Sequence, residues 1–105
     1  TGSMTPIINK GDVVIIDRKY NYDSLPIGDV IAFKKDNYIV VHRIVKKLKI
    51  NNSYIYYTKG DANSSIDDIV IEKSIFVGKQ VLSIPSIGLR FKYLYINATK
   101  GIKNK

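Results

Sequence analysis

Short runs of β-branched and aromatic residues, separated by turn-forming residues, dominate the chain. Runs of this length and composition are typical of β-strands, and no segment carries a sustained helical repeat, although residues 89–97 allow one short helix. The predicted strands lie at 12–17, 29–34, 38–50, 53–59, 69–72 and 75–84. The pattern therefore predicts an all-β protein with at least six strands.

The turns between these runs carry residues that suit tight reversals. Lys35-Asp36-Asn37 and Asn51-Asn52 are predicted to close two hairpins, because asparagine and aspartate tolerate positive φ better than most residues. Residues 18–25 are predicted to form a polar loop, and Gly78 is a candidate bulge. We expect coiled antiparallel sheets that form a small, partly open barrel.

The length of 105 residues favours a single domain, and the absence of cysteine excludes disulfides, thiolate chemistry and cysteine-based metal sites. Apolar residues make up 45% of the chain, which is enough for a core, but no apolar run reaches the ~18 residues of a membrane span. These features predict a globular domain.

The formal net charge of +8 is unevenly distributed. Residues 90–105 contain five basic residues and no acid, so residues 1–89, with 12 basic and nine acidic residues, carry only +3. A mildly basic body argues against nucleic acid as a partner. We therefore divide the chain into a β domain, 1–89, and a basic tail, 90–105. The tail is either an interfacial segment near lipid head groups or a solvated basic end.

One serine and one histidine stand out as candidate catalytic residues. Ser3 lies in a predicted turn that leads into the first strand, and His42, the single histidine, lies in Val40-Val41-His42-Arg43-Ile44. A serine hydroxyl is a poor nucleophile until a base takes its proton, so a catalytic role for Ser3 requires a partner such as His42. A carboxylate-rich turn follows at residues 59–68 and offers candidates to orient the imidazole.

Several ordered blocks together resemble the type I signal peptidases, and they cover residues 1–91. The blocks are Ser-Met-x-Pro at 3–6, Lys-Gly-Asp-Val-Val at 10–14, Ile-Gly-Asp-Val-Ile-Ala-Phe at 27–33, Val-His-Arg-Ile-Val at 41–45, Thr-Lys-Gly-Asp-Ala-Asn at 58–63, Val-Gly-Lys-Gln-Val at 77–81 and Ile-Pro-Ser-Ile-Gly at 84–88. Where the usual bacterial enzymes place a general-base lysine, this chain has His42. It therefore resembles the Ser-His branch found in the endoplasmic reticulum, in archaea and in some Gram-positive bacteria.

The resemblance implies a serine endopeptidase that removes N-terminal signal peptides from exported or surface proteins, cleaving after a small-x-small motif. It implies a membrane helix just before the serine and a catalytic domain on the extracytoplasmic face. The expected partners are signal-peptide-bearing precursors and the membrane lipid surface, without nucleic acid, and no metal or cofactor is expected.

The resemblance also assigns roles. Ser3 is the implied nucleophile, His42 the base, and Asp67, six residues after the Gly60-Asp61 pair, the orienting carboxylate. Asp61 is implied as a second, supporting carboxylate. Because Asp68 directly follows Asp67, the sequence leaves the register open by one residue.

The remaining implied roles concern the oxyanion and the substrate. The backbone N–H of Ser3 and the hydroxyl of Thr1 are the implied oxyanion donors. An extended substrate would add as a strand to a sheet edge, with shallow apolar pockets. The residues expected to line these pockets are Met4, Ile7, Ile8, Val30, Ile31 and Ala32.

Two other functions fit parts of the sequence. A non-catalytic, signal-peptidase-like assembly factor for pilin-type surface proteins would share the fold without cleaving. A small basic β-barrel that binds nucleic acid would explain the net charge, and it predicts salt-dependent affinity carried by residues 1–89.

Overall fold

The computed structural model of the chain describes residues 3–9, 11–85 and 93–97. Within them lie seven strands and one short 3-10 helix, at Tyr22–Ser24. The strands are β1 (Val13–Asp17), β2 (Val30–Lys35), β3 (Tyr38–Ile50), β4 (Ser53–Lys59), β5 (Val70–Ile71), β6 (Phe76–Ile84) and β7 (Tyr93–Ile96). The predicted all-β class is confirmed.

The seven strands form one sheet in the order β5-β4-β3-β2-β6-β1-β7. Neighbouring strands are antiparallel, except that β7 runs parallel to β1. The sheet does not close on itself, in keeping with the partly open barrel expected from the sequence. Of the stretch that allowed a short helix, residues 93–96 form a strand, and residues 89–92 lie outside the described part. No helix among the described residues is long and apolar enough to cross a bilayer.

Both hairpin turns predicted from sequence are present. Asp36 connects β2 to β3 with φ 54°, and Asn51 connects β3 to β4 with φ 59°. These left-handed conformations are the ones that short polar side chains tolerate best. Gly78 lies beside a register shift between β2 and β6, and a Cβ on it would come within 2.5 Å of the Asp17 carbonyl oxygen. The absent side chain thus permits β1 and β6 to approach.

The sheet carries an apolar cluster on each side. The first cluster includes Phe33, Ile44 and Tyr56, and the second includes Met4, Ile16 and Ala32. Because both sides of β2 are covered, its residues Val30 to Phe33 are all buried. This explains why β2 reads as a continuous apolar run instead of an alternating one.

The segment 18–25 is more than the polar loop that the sequence predicts. Tyr22 and Leu25 are buried in the first cluster, and the Tyr22 hydroxyl donates to the carbonyls of Tyr54 and Ile71 at 2.9 and 3.0 Å. The Tyr56 hydroxyl in turn donates to the Tyr22 carbonyl at 2.6 Å. The segment therefore contributes Tyr22 and Leu25 to the first cluster and connects β4 to β5 through the Tyr22 hydroxyl. The polar residues around Tyr22 give no sign of this role in the sequence.

Candidate active site

The turn that carries Ser3 is fixed to the loop after β4. The Ser3 carbonyl accepts a hydrogen bond from the Ala62 N–H at 2.7 Å, and the Met4 sulfur accepts one from the Asp61 N–H at 3.3 Å. The Met4 side chain is buried in the second cluster, so it holds the turn against this part of the core. The buried Met4 side chain and these two hydrogen bonds hold Ser3 in a defined position, in which it is half-buried.

His42 lies on β3, opposite Ile31 of β2. The residue is only 8% exposed, and its ring packs edge-on against Phe33 with the ring centres 6.4 Å apart. The Nε2 atom lies 2.9 Å from the Ser3 hydroxyl oxygen, and Nδ1 lies 2.6 Å from a carboxylate oxygen of Asp67. The structure thus brings Ser3, His42 and Asp67 into one continuous chain of hydrogen bonds.

Asp67 is held by the strand that precedes its loop. Its N–H donates to the Thr58 carbonyl at 2.8 Å, and the Thr58 hydroxyl donates to Asp67 Oδ2 at 2.7 Å. The same oxygen receives His42 Nδ1, and a carboxylate only accepts. Nδ1 therefore carries the proton, which leaves Nε2 as the acceptor for the Ser3 hydroxyl.

Asp61, the second implied carboxylate, pairs with Arg43 and not with the imidazole. Arg43 Nε and Nη2 donate to its two oxygens at 2.9 and 2.8 Å, and Nη1 donates to the Gly28 carbonyl at 2.7 Å. These hydrogen bonds lower the pKa of Asp61 and raise that of Arg43, against the opposing effect of burial. Such a planar two-point pair fixes orientation as well as charge. It links the loop beside Ser3 to the residue next to His42.

The other predicted site residues are placed as follows. The side chain of Asp68 is 92% exposed and lies 3.6 Å from Lys35. Of the two adjacent aspartates that the sequence left open, Asp67 is therefore the one that contacts His42. Thr1 lies outside the described residues. Ile7 is exposed at the surface.

Most of the expected substrate-lining residues are core residues. These residues have almost no accessible surface, because Val30, Ile31 and Ala32 lie on β2, an interior strand covered on both sides, and Met4 and Ile8 are buried in the second cluster. Because β3 and β6 flank β2, this strand offers no free edge to which a substrate strand could add. The residues concerned are Met4, Ile8, Val30, Ile31 and Ala32.

Thr58 is a residue of the candidate site, because its hydroxyl donates to Asp67, and sequence reasoning missed it. It is fully buried, two positions from Tyr56 on the same face of β4, directly before the Gly60-Asp61 turn. A hydroxyl on the buried face of a strand needs a hydrogen-bond partner. This requirement was the signal by which the sequence could have identified Thr58. Among the described residues, no group of three or more histidine, cysteine or acidic side chains could hold a metal ion.

Comparison with known proteins places this geometry in a family context. Signal peptidase I W of Bacillus subtilis (strain 168) is 38% identical to the chain over 68 residues, which are 64% of this chain and 36% of that protein. The signal peptidase complex catalytic subunit SEC11 of Verticillium alfalfae is 31% identical over 97 residues, 84% of this chain and 56% of the subunit. The SEC11 of Colletotrichum graminicola is 28% identical over 98 residues with the same two coverages, 84% and 56%.

The chain spans about half the length of these fungal relatives and about a third of the bacterial one. No protein-family model matches the chain, and no solved structure matches it significantly. The similarities nevertheless confirm the resemblance seen in the sequence: this chain is a relative of the type I signal peptidases.

Proposed function

We propose that the chain is the catalytic part of a serine endopeptidase that removes signal peptides from exported or surface proteins. The observation that carries this proposal is the hydrogen-bond chain from the Ser3 hydroxyl through His42 to Asp67, with steps of 2.9 and 2.6 Å. The similarity to signal peptidase I W and to SEC11 supports the same reaction. Neither nucleic acid nor a cofactor enters the proposed function.

In the proposed reaction, Ser3 Oγ attacks the scissile carbonyl carbon while His42 Nε2 takes the hydroxyl proton. The imidazolium that forms is stabilised by Asp67 at Nδ1, and it then protonates the leaving amine. Water deacylates the ester by the reverse proton path. The Ser3 N–H and the Thr1 hydroxyl are the proposed oxyanion donors, and loss of one such donor typically raises the barrier by about 3 kcal/mol.

The proposed substrate is an extended segment with small residues at the first and third positions before the cleaved bond. The proposed location is the extracytoplasmic face of a membrane. The catalytic domain expected at residues 1–89 also includes β7 (Tyr93–Ile96), because this strand of the expected basic tail 90–105 pairs with β1. Ile7 is the predicted lining residue that remains accessible, so it is the first candidate for direct contact with the substrate.

The test is cleavage of a peptide that spans a small-x-small signal-peptide site, with products identified by mass spectrometry. Ser3→Ala and His42→Ala should abolish cleavage, whereas Ser74→Ala, at an exposed serine outside the site, should leave it unchanged. Asp67→Asn should lower the rate by at least 100-fold, because the amide favours the wrong tautomer. Asp68→Asn is the matched control one residue away.

A serine-directed acylating probe gives a second readout. We expect it to modify the native chain at Ser3 and to leave the His42→Ala variant unmodified. Unchanged cleavage by Ser3→Ala would overturn the proposal. A folded chain that neither cleaves peptide nor reacts with the probe would favour the non-catalytic assembly role.

A further inference from the structure

Lys59, the last residue of β4, folds back over the turn that follows it. Its ammonium nitrogen donates to the Gly60 carbonyl oxygen at 2.9 Å and to the Asn63 carbonyl oxygen at 2.6 Å. The Asn63 N–H also donates to the Gly60 carbonyl, at 3.0 Å. Residues 60–63, which we call the 60–63 turn, are therefore closed by one backbone hydrogen bond and held at both ends by Lys59.

The position of Lys59 in the sheet is electrostatically unfavourable for strand pairing. Its cross-strand partner on β3 is Arg43, another cation. Like charges directly opposite each other destabilise an antiparallel pair. Arg43 is compensated by the two oxygens of the Asp61 carboxylate, whereas Lys59 donates to backbone carbonyls. Strand pairing therefore gains nothing from a cation at residue 59, and the hydrogen bonds that this cation makes are with the turn.

The Gly60–Asp61 peptide connects Lys59 to the turn that carries Ser3. This peptide is trans, so its carbonyl and its N–H point in opposite directions. The carbonyl accepts from Lys59, and the N–H donates to the Met4 sulfur at 3.3 Å. Rotation of the peptide would break both contacts together. The hydrogen bond from Lys59 therefore helps to keep the N–H directed at the residue next to Ser3.

A second contact of the 60–63 turn reaches Ser3 itself. The Ala62 N–H donates to the Ser3 carbonyl at 2.7 Å, and the Ser3 hydroxyl oxygen lies 2.9 Å from His42 Nε2. Ser3 lies in a turn and is not part of a strand, so sheet pairing does not fix its backbone position. A misplacement of about 1 Å at a reacting centre typically lowers the rate by about 100-fold. The geometry of the 60–63 turn therefore bears directly on the reactivity of Ser3.

The charge and the shape of a lysine suit these two carbonyls. An ammonium carries three donors in a compact group, so it can bind two carbonyl oxygens and still donate to water. Hydrogen bonds from a charged donor are about twice as strong as those from a neutral one. Glutamine would keep donors without the charge, and methionine would keep most of the apolar stem without any donor. Substitution by each of these two residues therefore separates the contribution of charge from that of packing.

We propose that Lys59 is a positioning residue, whose ammonium fixes the 60–63 turn in the arrangement that holds the Ser3 hydroxyl at His42. Lys59 acts through backbone carbonyls, so it takes no part in the proton transfer itself. The inference rests on the proposed peptidase function and adds a residue to the same site. It predicts that loss of the ammonium weakens the hydrogen bond between Ser3 and His42 in molecules that remain folded.

The first test compares cleavage of the small-x-small peptide by the native chain, Lys59→Gln and Lys59→Met, with rates expressed per folded molecule. We expect kcat to fall at least about tenfold in Lys59→Met and by less in Lys59→Gln. KM should change by less than about twofold, because Lys59 orients the nucleophile. Lys49→Met is the matched control: it removes the same charge from an exposed position on the same hairpin and should keep the native kcat. If Lys59→Met fails to fold, Lys59→Gln carries the same test.

Chemical rescue tests the ammonium directly. Lys59→Ala removes the atoms of a propylammonium ion from the chain. Added propylammonium should therefore restore part of the lost cleavage, whereas neither propanol nor potassium chloride at the same concentration should restore any. A merely structural lysine would lower stability without any rescue of kcat per folded molecule.

A spectroscopic readout does not require activity. The chain has one histidine, so the NMR signals of the imidazole nitrogens report on His42 alone. Ser3→Ala gives the chemical shift of Nε2 without the serine hydrogen bond. Lys59→Met should move the Nε2 shift toward that value, and Lys49→Met should leave it at the native value.

The outcomes separate this inference from the proposed function. A native Nε2 shift together with a native kcat in Lys59→Met would overturn the inference and leave the peptidase assignment intact. Lower stability with an unchanged kcat per folded molecule, or a rise in KM at constant kcat, would overturn it as well, because Lys59 would then be a structural or a substrate-binding residue. Cleavage that persists in Ser3→Ala would instead overturn the peptidase assignment on which the inference rests.

Discussion

Gly60 lies directly against Ser3. A Cβ placed on Gly60 would be 2.7 Å from the Ser3 carbonyl oxygen and 2.9 Å from the Ser3 Cβ, both shorter than van der Waals contact. The Ser3 carbonyl also accepts the Ala62 N–H, so the loop after β4 contacts the proposed nucleophile through its backbone. The position of Ser3 relative to His42 therefore depends on the absence of a side chain at residue 60.

Gly60→Ala should displace Ser3 and lower kcat/KM by about 100-fold, the usual effect of a misplacement near 1 Å. It should also cost about 1–3 kcal/mol of unfolding free energy through overpacking. Gly28→Ala is the comparison, because Gly28 has open space around it but a φ of +104°. That variant should lose stability through backbone strain while its folded fraction keeps normal activity. Equal activity loss in both variants would contradict the steric argument.

Thr58→Val should lower kcat/KM by about tenfold, equivalent to about 1.4 kcal/mol of barrier. The buried Thr58 hydroxyl donates at 2.7 Å to the same Asp67 oxygen that receives His42 Nδ1. Without it, the carboxylate loses a charge-assisted bond and the orientation that the bond imposes. Thr58→Ser keeps the hydroxyl and should retain most of the activity. The idea fails if serine and valine at this position behave alike.

The Arg43–Asp61 pair should make stability depend on acid pH. Hydrogen bonds from Arg43 hold the pKa of Asp61 below its ordinary value of 3.8 in the folded state. A carboxyl with a depressed folded pKa stabilises the native state above its unfolded pKa, and this stabilisation is lost as the pH falls through the folded value. A double-mutant cycle with Arg43→Gln and Asp61→Asn should therefore show coupling at pH 7 that shrinks below about pH 4. Urea unfolding measures it, and a coupling that stays constant with pH would contradict the prediction.

The buried tyrosines predict a loss of stability in alkali. Burial raises the pKa of Tyr56 from 10.0 to about 12, and it raises the pKa of Tyr22 as well. A raised folded pKa means that the stabilisation is complete below the unfolded value and is lost as the pH rises from about 10 to about 12. Tyr56→Phe should show a shallower alkaline decline. In an absorbance titration of the native protein, these two tyrosines should stay protonated at pH values at which the exposed tyrosines have ionised.

Tyr56→Phe should also cost about 1–3 kcal/mol at neutral pH, because it leaves the Tyr22 carbonyl without the hydroxyl that binds it at 2.6 Å. Tyr38→Phe is the control, since Tyr38 is 69% exposed. Thermal unfolding monitored by circular dichroism distinguishes the two. Similar effects of both substitutions would show that the internal hydrogen bond contributes little.

The sequence by itself determined the local features of this protein. Runs of β-branched and aromatic residues between turn formers predicted the strands, and Asp36 and Asn51 occupy the left-handed turns that their side chains tolerate. The ordered motifs around Ser3 and His42 predicted the family, which the bacterial and fungal relatives confirm. These signals are readable because each depends on neighbours a few positions away.

Only the tertiary structure decided which side chains meet. Ser3 and His42 are 39 positions apart and His42 and Asp67 are 25 apart, so their contacts depend on how β3 pairs with β2 and β4. The loop between β4 and β5 turns Asp67 toward His42 and leaves Asp68 exposed, a choice that two adjacent aspartates do not reveal in the sequence. Pairing also turned Asp61 toward Arg43 and enclosed β2 on both sides, because burial is a property of the assembled sheet and not of any one strand.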